Sequence, residues 1–369
     1  MSRAKKEKEV FGEAKLSLTP DEKRFATHAA VAVFRAERLR CNKIVDLCSG
    51  AGFQSFAFAQ TCTHVLAVEK DPLLFAKAQE HAKKLGITNI TFLCGDVLAA
   101  EIVSHVKTFA PDIVFCDPER FASEEARSLS TIQPNIPELL SVYGSITDKI
   151  AVEFPPHIQT LAFPAGFSAE AEYLSLDGAL NRLTLYFGSL RTCAKRVVLL
   201  PEREVLSSTA TELSSISTTT SSSSTVSSSS ASFSYLLEPN PALAVSGLVP
   251  AAFASALSSD IFETLIAAKE IVAISQGKKI FYLSTKILNS PFFTVYAIHA
   301  HVPYSFDMSG KKALLKELQH LSAARVVLRY TLDPAKYWDE RTFFEKRLQG
   351  GTKHMHLFVF DEALISEKM

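Results

Sequence analysis

Along the first half of the chain, short apolar runs alternate with longer stretches in which apolar residues recur every three or four positions. KIVDLC, HVLAVE, ITFLCGD and DIVFCD, between Lys43 and Asp117, read as buried strands. Between them, QSFAFAQ, PLLFAKAQEHAKKLG and the segment around AEIVSHVKTF carry the spacing of amphipathic helices. Strands alternating with helices predict βαβ units and a parallel sheet. DKIAVEF, near residues 148–154, predicts a fifth strand. AEYLSLDGALNRLTLYF then sets Asp177-Gly178 between two strand-like runs, which predicts an antiparallel hairpin at the sheet edge. Ahead of the first strand, Thr19-Pro20-Asp21-Glu22 supplies a capping threonine, a proline at the first helical position and a glutamate three residues after the cap. The helix so started is expected to run to about Leu39.

Outside this region the pattern changes twice. Residues 1–18 read as a charged tail, and 19–206 as the α/β domain. Residues 207–234 are almost entirely Ser, Thr and Ala, too polar to offset their ordering entropy, and read as a disordered linker. Residues 235–369 return to order: helical stretches at 250–274, then strand FFTVYAIHAHV, helix KKALLKELQHL, strand ARVVLRYTL, helix DERTFFEKRLQ and strand HMHLFVF. That is a small α+β domain, in which Tyr337 and Trp338 are expected to pack.

Composition narrows the classes. Apolar residues make up 47 % and charged residues 21 % of 369, enough for two cored domains, and no apolar run reaches membrane-spanning length. The charged N-terminus has no apolar segment behind it, so a cytoplasmic location and no membrane partner are expected. None of the six cysteines forms a CxxC pair, so reduced, mostly buried thiols are expected, with no metal. Two His-x-His pairs, His299/His301 and His354/His356, would meet only if their strands were neighbours. Net charge is zero, yet residues 278–353 hold 13 Lys and Arg against 6 Asp and Glu. A basic module on an acidic partner domain is the pattern of a polyanion-holding part.

The candidate chemistry gathers at the predicted strand ends. Asp46-Leu47-Cys48-Ser49-Gly50-Ala51-Gly52-Phe53-Gln54 follows the first strand, and Gly50 and Gly52 allow a sharp turn and close ligand approach. The third glycine of the dinucleotide fingerprint is missing, since Ser55 stands in its place. Glu69 closes the second strand, placed to accept hydrogen bonds from ribose hydroxyls. Asp96, after the third, can accept one from an exocyclic amine such as adenine N6. Asp117-Pro118-Glu119-Arg120 follows the fourth, with proline holding the chain extended. By strand alternation Cys116 points away from Asp117, against a cysteine nucleophile. Asp117 is the candidate to orient a nucleophile and accept its hydrogen bond, Glu119 could share that role, and Arg120 could steer a phosphate.

These residues resemble the class I S-adenosylmethionine-dependent methyltransferases over roughly residues 19–200. The resemblance implies a doubly wound, mostly parallel seven-stranded sheet with an antiparallel edge hairpin. It implies that Asp46, Gly50, Gly52 and Phe53 border the methionine part of the cofactor, with Glu69 on the ribose and Asp96 on the adenine. Asp117 and Pro118 would face the transferring methyl. DLCSGAGFQ, DPER, IAVEFPP, EAEYLSLDGALNRLTLYFG, YLLEPNPALAVSG and LRYTLDPAKYWDERTFFEKRLQGG further resemble a methyltransferase family with a THUMP-like C-terminal domain, whose members are presumed to act on RNA. LSLTPDEKRFATHAAVA is similar to the stretch ahead of the first strand in RNA cap guanine-N2 methyltransferases, which carry S-P-P-W where this chain has DPER. RNA uracil-C5 methyltransferases use a related D-P-P-R but need a later S-C-N-type cysteine motif, absent here. The expectation is base methylation of tRNA or rRNA. A methyltransferase on a small molecule or protein, and a catalytically silent RNA-binding protein, stay open.

Overall fold

The computed structural model describes residues 8–118, 132–156, 168–208 and 233–369, and the chain divides into two compact units, Met1–Ala210 and Thr211–Met369. Most of the Ser/Thr-rich linker, with Glu119, Arg120 and Glu124, lies outside the described residues.

The first unit opens with α1 (Pro20–Phe25), whose Thr19 and Glu22 form the expected capping box. The helix stops at Phe25 rather than near Leu39. Ala26 turns extended, His28 pairs with Val10 in an isolated bridge, and His28 Nδ1 accepts from Ala30 N to start α2 (Ala29–Arg38). Residues 8–18 are likewise no frayed tail, since Val10 and Leu16 are buried against Ala26, Phe53 and Phe56.

Then follow β1 (Lys43–Leu47), α3 (Phe53–Phe58), β2 (His64–Glu69), α4 (Pro72–Leu85), β3 (Ile90–Cys94), α5 (Ala100–Phe109), β4 (Ile113–Cys116), α6 (Ile136–Gly144) and β5 (Ile150–Phe154). β6 (Ala169–Leu176), β7 (Ala179–Phe187), β8 (Lys195–Leu200) and β9 (Glu204–Ser208) complete one sheet in the order β3-β2-β1-β4-β5-β7-β6-β8-β9. β1 to β5 are parallel. Alternation sends Val45 and Leu47 to one face with α5 and α6, and Ile44 to the other with α2 and α3, the double winding expected. Each such residue, fully buried, contributes roughly 1.5–3 kcal/mol.

The sheet has nine strands where seven were expected. The β6–β7 hairpin turns at Asp177-Gly178 as predicted, but it lies inside the sheet because β8 pairs with β6 and β9 with β8. β9 also takes up Ser207 and Ser208, which composition had assigned to the linker.

The second unit comprises β10 (Tyr235–Pro239), α7 (Pro241–Ser246), α8 (Val249–Leu257), α9 (Ser259–Ala267), β11 (Ile271–Gln276), β12 (Lys279–Ser284), β13 (Phe293–Val302), α10 (Met308–His320), β14 (Ala323–Leu328), α11 (Pro334–Glu345), β15 (Lys353–Val359) and β16 (Ala363–Lys368). Its sheet runs β11-β12-β10-β13-β16-β15-β14, with only β14–β15 parallel. The helical stretch expected over 250–274 ends at Ala267, and the chain then turns into the β11–β12 hairpin. β16 separates β13 from β15, so the two His-x-His pairs do not share neighbouring strands. His299 meets Glu367, His301 meets Glu362, and His356 accepts from Arg329. Trp338 does not pack inside. It is 54 % exposed, with the Arg341 guanidinium over its ring. Among the described residues, no single helix is long and apolar enough to cross a membrane.

Charge ties α2 to the first sheet. Arg38 reaches both Glu170 and Glu172 on β6, and its guanidinium lies 3.4 Å from the centre of the Tyr186 ring, whose hydroxyl donates to Glu172. Both carboxylates are buried, so each needs its cation. Arg38→Ala is therefore expected to destabilise the protein by about 3 kcal/mol or more in urea denaturation. A loss below about 1 kcal/mol would mean that water replaces the guanidinium.

Candidate active site

Parallel pairing brings the carboxyl ends of four strands level. Leu47 pairs with Val68 and Cys116, and Glu69 with Cys94. Strand order reverses between β1 and β4, which opens a crevice where ligands of open α/β sheets bind. Asp96, Glu69, Asp46 and Asp117 thus follow one another along one edge, spanning about 14 Å at the usual strand spacing.

The loop after β1 is the tightest part of this edge. Cys48, Gly50 and Gly52 all have positive φ, at 62°, 56° and 89°. A Cβ on Gly52 would lie 2.6 Å from the Phe56 ring, whereas one on Gly50 would meet nothing within 4 Å. Gly52 is thus required by packing, and Gly50 by backbone conformation beside open space. Glu69 braces the loop: its carboxylate accepts from Gly50 N at 2.7 Å and from Asp71 N at 2.9 Å. The cap of α4 is Asp71, not Glu69.

Asp46 is 1 % exposed and accepts from Ser55 Oγ. The residue standing where a third glycine would fall is therefore this carboxylate's partner. Burial pushes the Asp46 carboxyl up to about 7, against the Ser55 hydrogen bond; the nearby charges of Asp117 and Glu69 push it further up, and that of Arg35 opposes them. Asp96 is exposed, and its Oδ1 accepts from Leu98 N at 2.8 Å. Pro118 is buried and Asp117 is partly open. Cys116 is buried on the opposite face, 4.0 Å from the Cys48 sulfur, and burial with that contact holds its thiol well above the usual range. Phe53 is buried in the apolar cluster of Val10, Leu16 and Phe56.

Three residues escaped the motif reading. Glu153 on β5 is 1 % exposed and takes guanidinium contacts from Arg35 on α2 and Arg182 on β7. Arg182 stands 4.0 Å from Asp117 Oδ2. Arg35 also donates to Gln54 Oε1 at 2.8 Å. The available signal was a charge inside an apolar run, Glu153 in IAVEF and Arg182 in NRLTLYF.

The site fits a cationic, polar ligand. Asp46, Glu69 and Asp117 lie within electrostatic reach of one another and favour positive charge there. Ser49 Oγ is buried without a hydrogen-bond partner among the described residues, and Gly50 fronts open space.

Residues 41–157, just under a third of the chain, match the family described as RNA cap guanine-N2 methyltransferase. A Porphyromonas gingivalis W83 protein, provisionally described as a methyltransferase, superposes with a TM-score of 0.67 at 19 % identity, over 95 % of this chain and 83 % of its own. That likeness shows the fold. TrmN from Thermus thermophilus (TM-score 0.31, 19 % identity) covers 43 % of this chain and 46 % of its own. A SAM-dependent methyltransferase from Agrobacterium tumefaciens (TM-score 0.26, 17 % identity) covers 33 % and 42 %. Nothing rests on these two partial overlaps. On fold and family match together, the chain is an S-adenosylmethionine-dependent methyltransferase. S-adenosylmethionine is the cofactor expected of that class.

Asp46 gives this site a pH dependence. Its folded value, about 7, lies above the ordinary carboxyl value of 3.8. The fold therefore favours the neutral form, and stability falls as pH rises through that window. A cationic ligand favours the ionised form, so S-adenosylmethionine affinity is expected to rise roughly tenfold between about pH 6 and about pH 8. Equilibrium dialysis checks this, and Asp46→Asn is expected to flatten both trends.

Proposed function

We propose that this enzyme methylates a base in structured RNA, tRNA or rRNA. The acid-lined edge carries the reading, because it lies within the segment that matches an RNA methyltransferase family. The basic excess of residues 278–353 adds to it: a stretch of the C-terminal domain with 13 Lys and Arg against 6 Asp and Glu suits a phosphate backbone. We assign that domain, THUMP-like by sequence, to holding the RNA.

When bound, S-adenosylmethionine supplies a methyl group on a sulfonium centre. Asp46, Ser49 and the Gly50 loop hold its methionine end, Glu69 its ribose and Asp96 its adenine. The protein's remaining task is to align the acceptor. Asp117 orients the incoming amine and takes its hydrogen bond as the proton is lost, with Glu119 and Arg120 beside it in sequence. Guanine-N2 as the target sits poorly with Asp117-Pro118-Glu119-Arg120 in place of S-P-P-W.

Radiolabelled methyl transfer to RNA from cells lacking this protein tests the reading. Label is expected in tRNA or rRNA, and Asp117→Asn should lower the rate by about 100-fold or more without abolishing cofactor binding. Label in protein or small metabolites, with none in RNA, would overturn it.

A further inference from the structure

We infer that Arg182 is the positioning residue for Asp117, held in register by Glu153 and Arg35. This role rests on placing Asp117 beside the acceptor.

The argument begins with strand position. β7 runs antiparallel to β5, and Leu183 pairs with Phe154, the last residue of β5. Arg182 therefore stands at the sheet's carboxyl edge, beyond Asp117-Pro118 in strand order. Its guanidinium donates to Glu153 and lies 4.0 Å from Asp117 Oδ2, an ion pair beyond hydrogen-bond range.

Charge counting gives this placement a purpose. Glu153 is buried, and one guanidinium, that of Arg35, already neutralises it. A second, from Arg182, would leave a surplus positive charge in a dry sheet. Asp117 lies within ion-pair range of that second guanidinium, so Arg35, Glu153, Arg182 and Asp117 alternate in sign along the line. Arg35 also donates to Gln54, and the next residue, Ser55, holds Asp46. Polar contacts on the adjacent residues Gln54 and Ser55 therefore relate Asp46 to the line that ends at Asp117.

Other groups face this line. Asp46 presents a like charge to Asp117 from β1, and the Cys116 thiol on the other face feels both carboxylates. Lys8 stands near Arg182, its amine lowered to about 8 by burial and by that charge. Without Arg182, Asp117 would lose a favourable charge while still facing Asp46, and its ionised form would lose support. Arg182 thus keeps the carboxylate charged and aimed.

Arg182→Gln, Arg182→Lys and Glu153→Gln proteins test this, with thermal melting as the control for folding. The carboxyl 13C of aspartate-labelled protein is titrated, with Asp117→Asn identifying the Asp117 signal. In Arg182→Gln the Asp117 titration is expected to move up by about 1 pH or more. The kcat for methyl transfer to the hypomethylated RNA is expected to fall at least tenfold, its acid limb moving the same way, while the S-adenosylhomocysteine Kd stays within about twofold. Arg182→Lys should restore most of the titration. If Arg182→Gln does not fold, Glu153→Gln and Arg182→Lys carry the test, with smaller movements in the same direction. An unmoved Asp117 titration with unchanged kcat, or a loss of S-adenosylhomocysteine binding as large as the loss of rate, overturns the role. If the wild-type enzyme labels no RNA, the RNA reading fails alone, and the carboxyl titration still decides the role of Arg182.

Discussion

A charge buried in a sheet must find its opposite, and the N-terminal unit is organised around that demand at Glu153. The carboxylate sits in the middle of the sheet and is reached from α2 by Arg35 and from β7 by Arg182. Removing either cation, or the acid, would strand a charge where water cannot easily follow. The same rule fixes α2 a turn later, where Arg38 answers Glu170 and Glu172. The helix that precedes β1 is thus held by ion pairs as well as by Ala32, Ala36 and Leu39 in the apolar cluster. Because these contacts specify partners, they also set how β7 approaches the edge where Asp117 projects.

The crevice itself is acid-rich, and this costs stability. Asp46 is buried, and its proton is held by desolvation and by its acidic neighbours Asp117 and Glu69. Ser55 offsets part of that cost with one hydrogen bond. The positive charge of a sulfonium cofactor would offset more, so the features that strain the crevice favour such a ligand. The role of α3 is narrower than its position suggests. It has six residues, so its dipole is small, and its main contribution is to carry Gln54 and Ser55.

Much of this was readable in the sequence. Periodicity placed β1 to β5 and the β6–β7 turn, because a buried strand is an apolar run and Asp-Gly suits a tight turn. Strand-end acids followed from the same runs. What escaped depended on pairing between distant residues. Nothing local marks Ser55 as the partner of Asp46, or Arg35 as the partner of Glu153. The break between α1 and α2 turns on His28, whose ring caps α2 and whose backbone bridges Val10. β9 runs into the Ser-rich stretch, so composition hid it. The two His-x-His pairs looked alike in sequence, yet β16 keeps them on separated strands.

The central claim is that the acid-lined edge binds S-adenosylmethionine. Calorimetric titration of the purified chain with S-adenosylhomocysteine tests it most directly, alongside Asp46→Ala and Glu69→Ala. The account predicts one site per chain in the wild type and loss of binding in both variants. A folded wild-type protein that gives no binding heat, at any temperature tried, would contradict it.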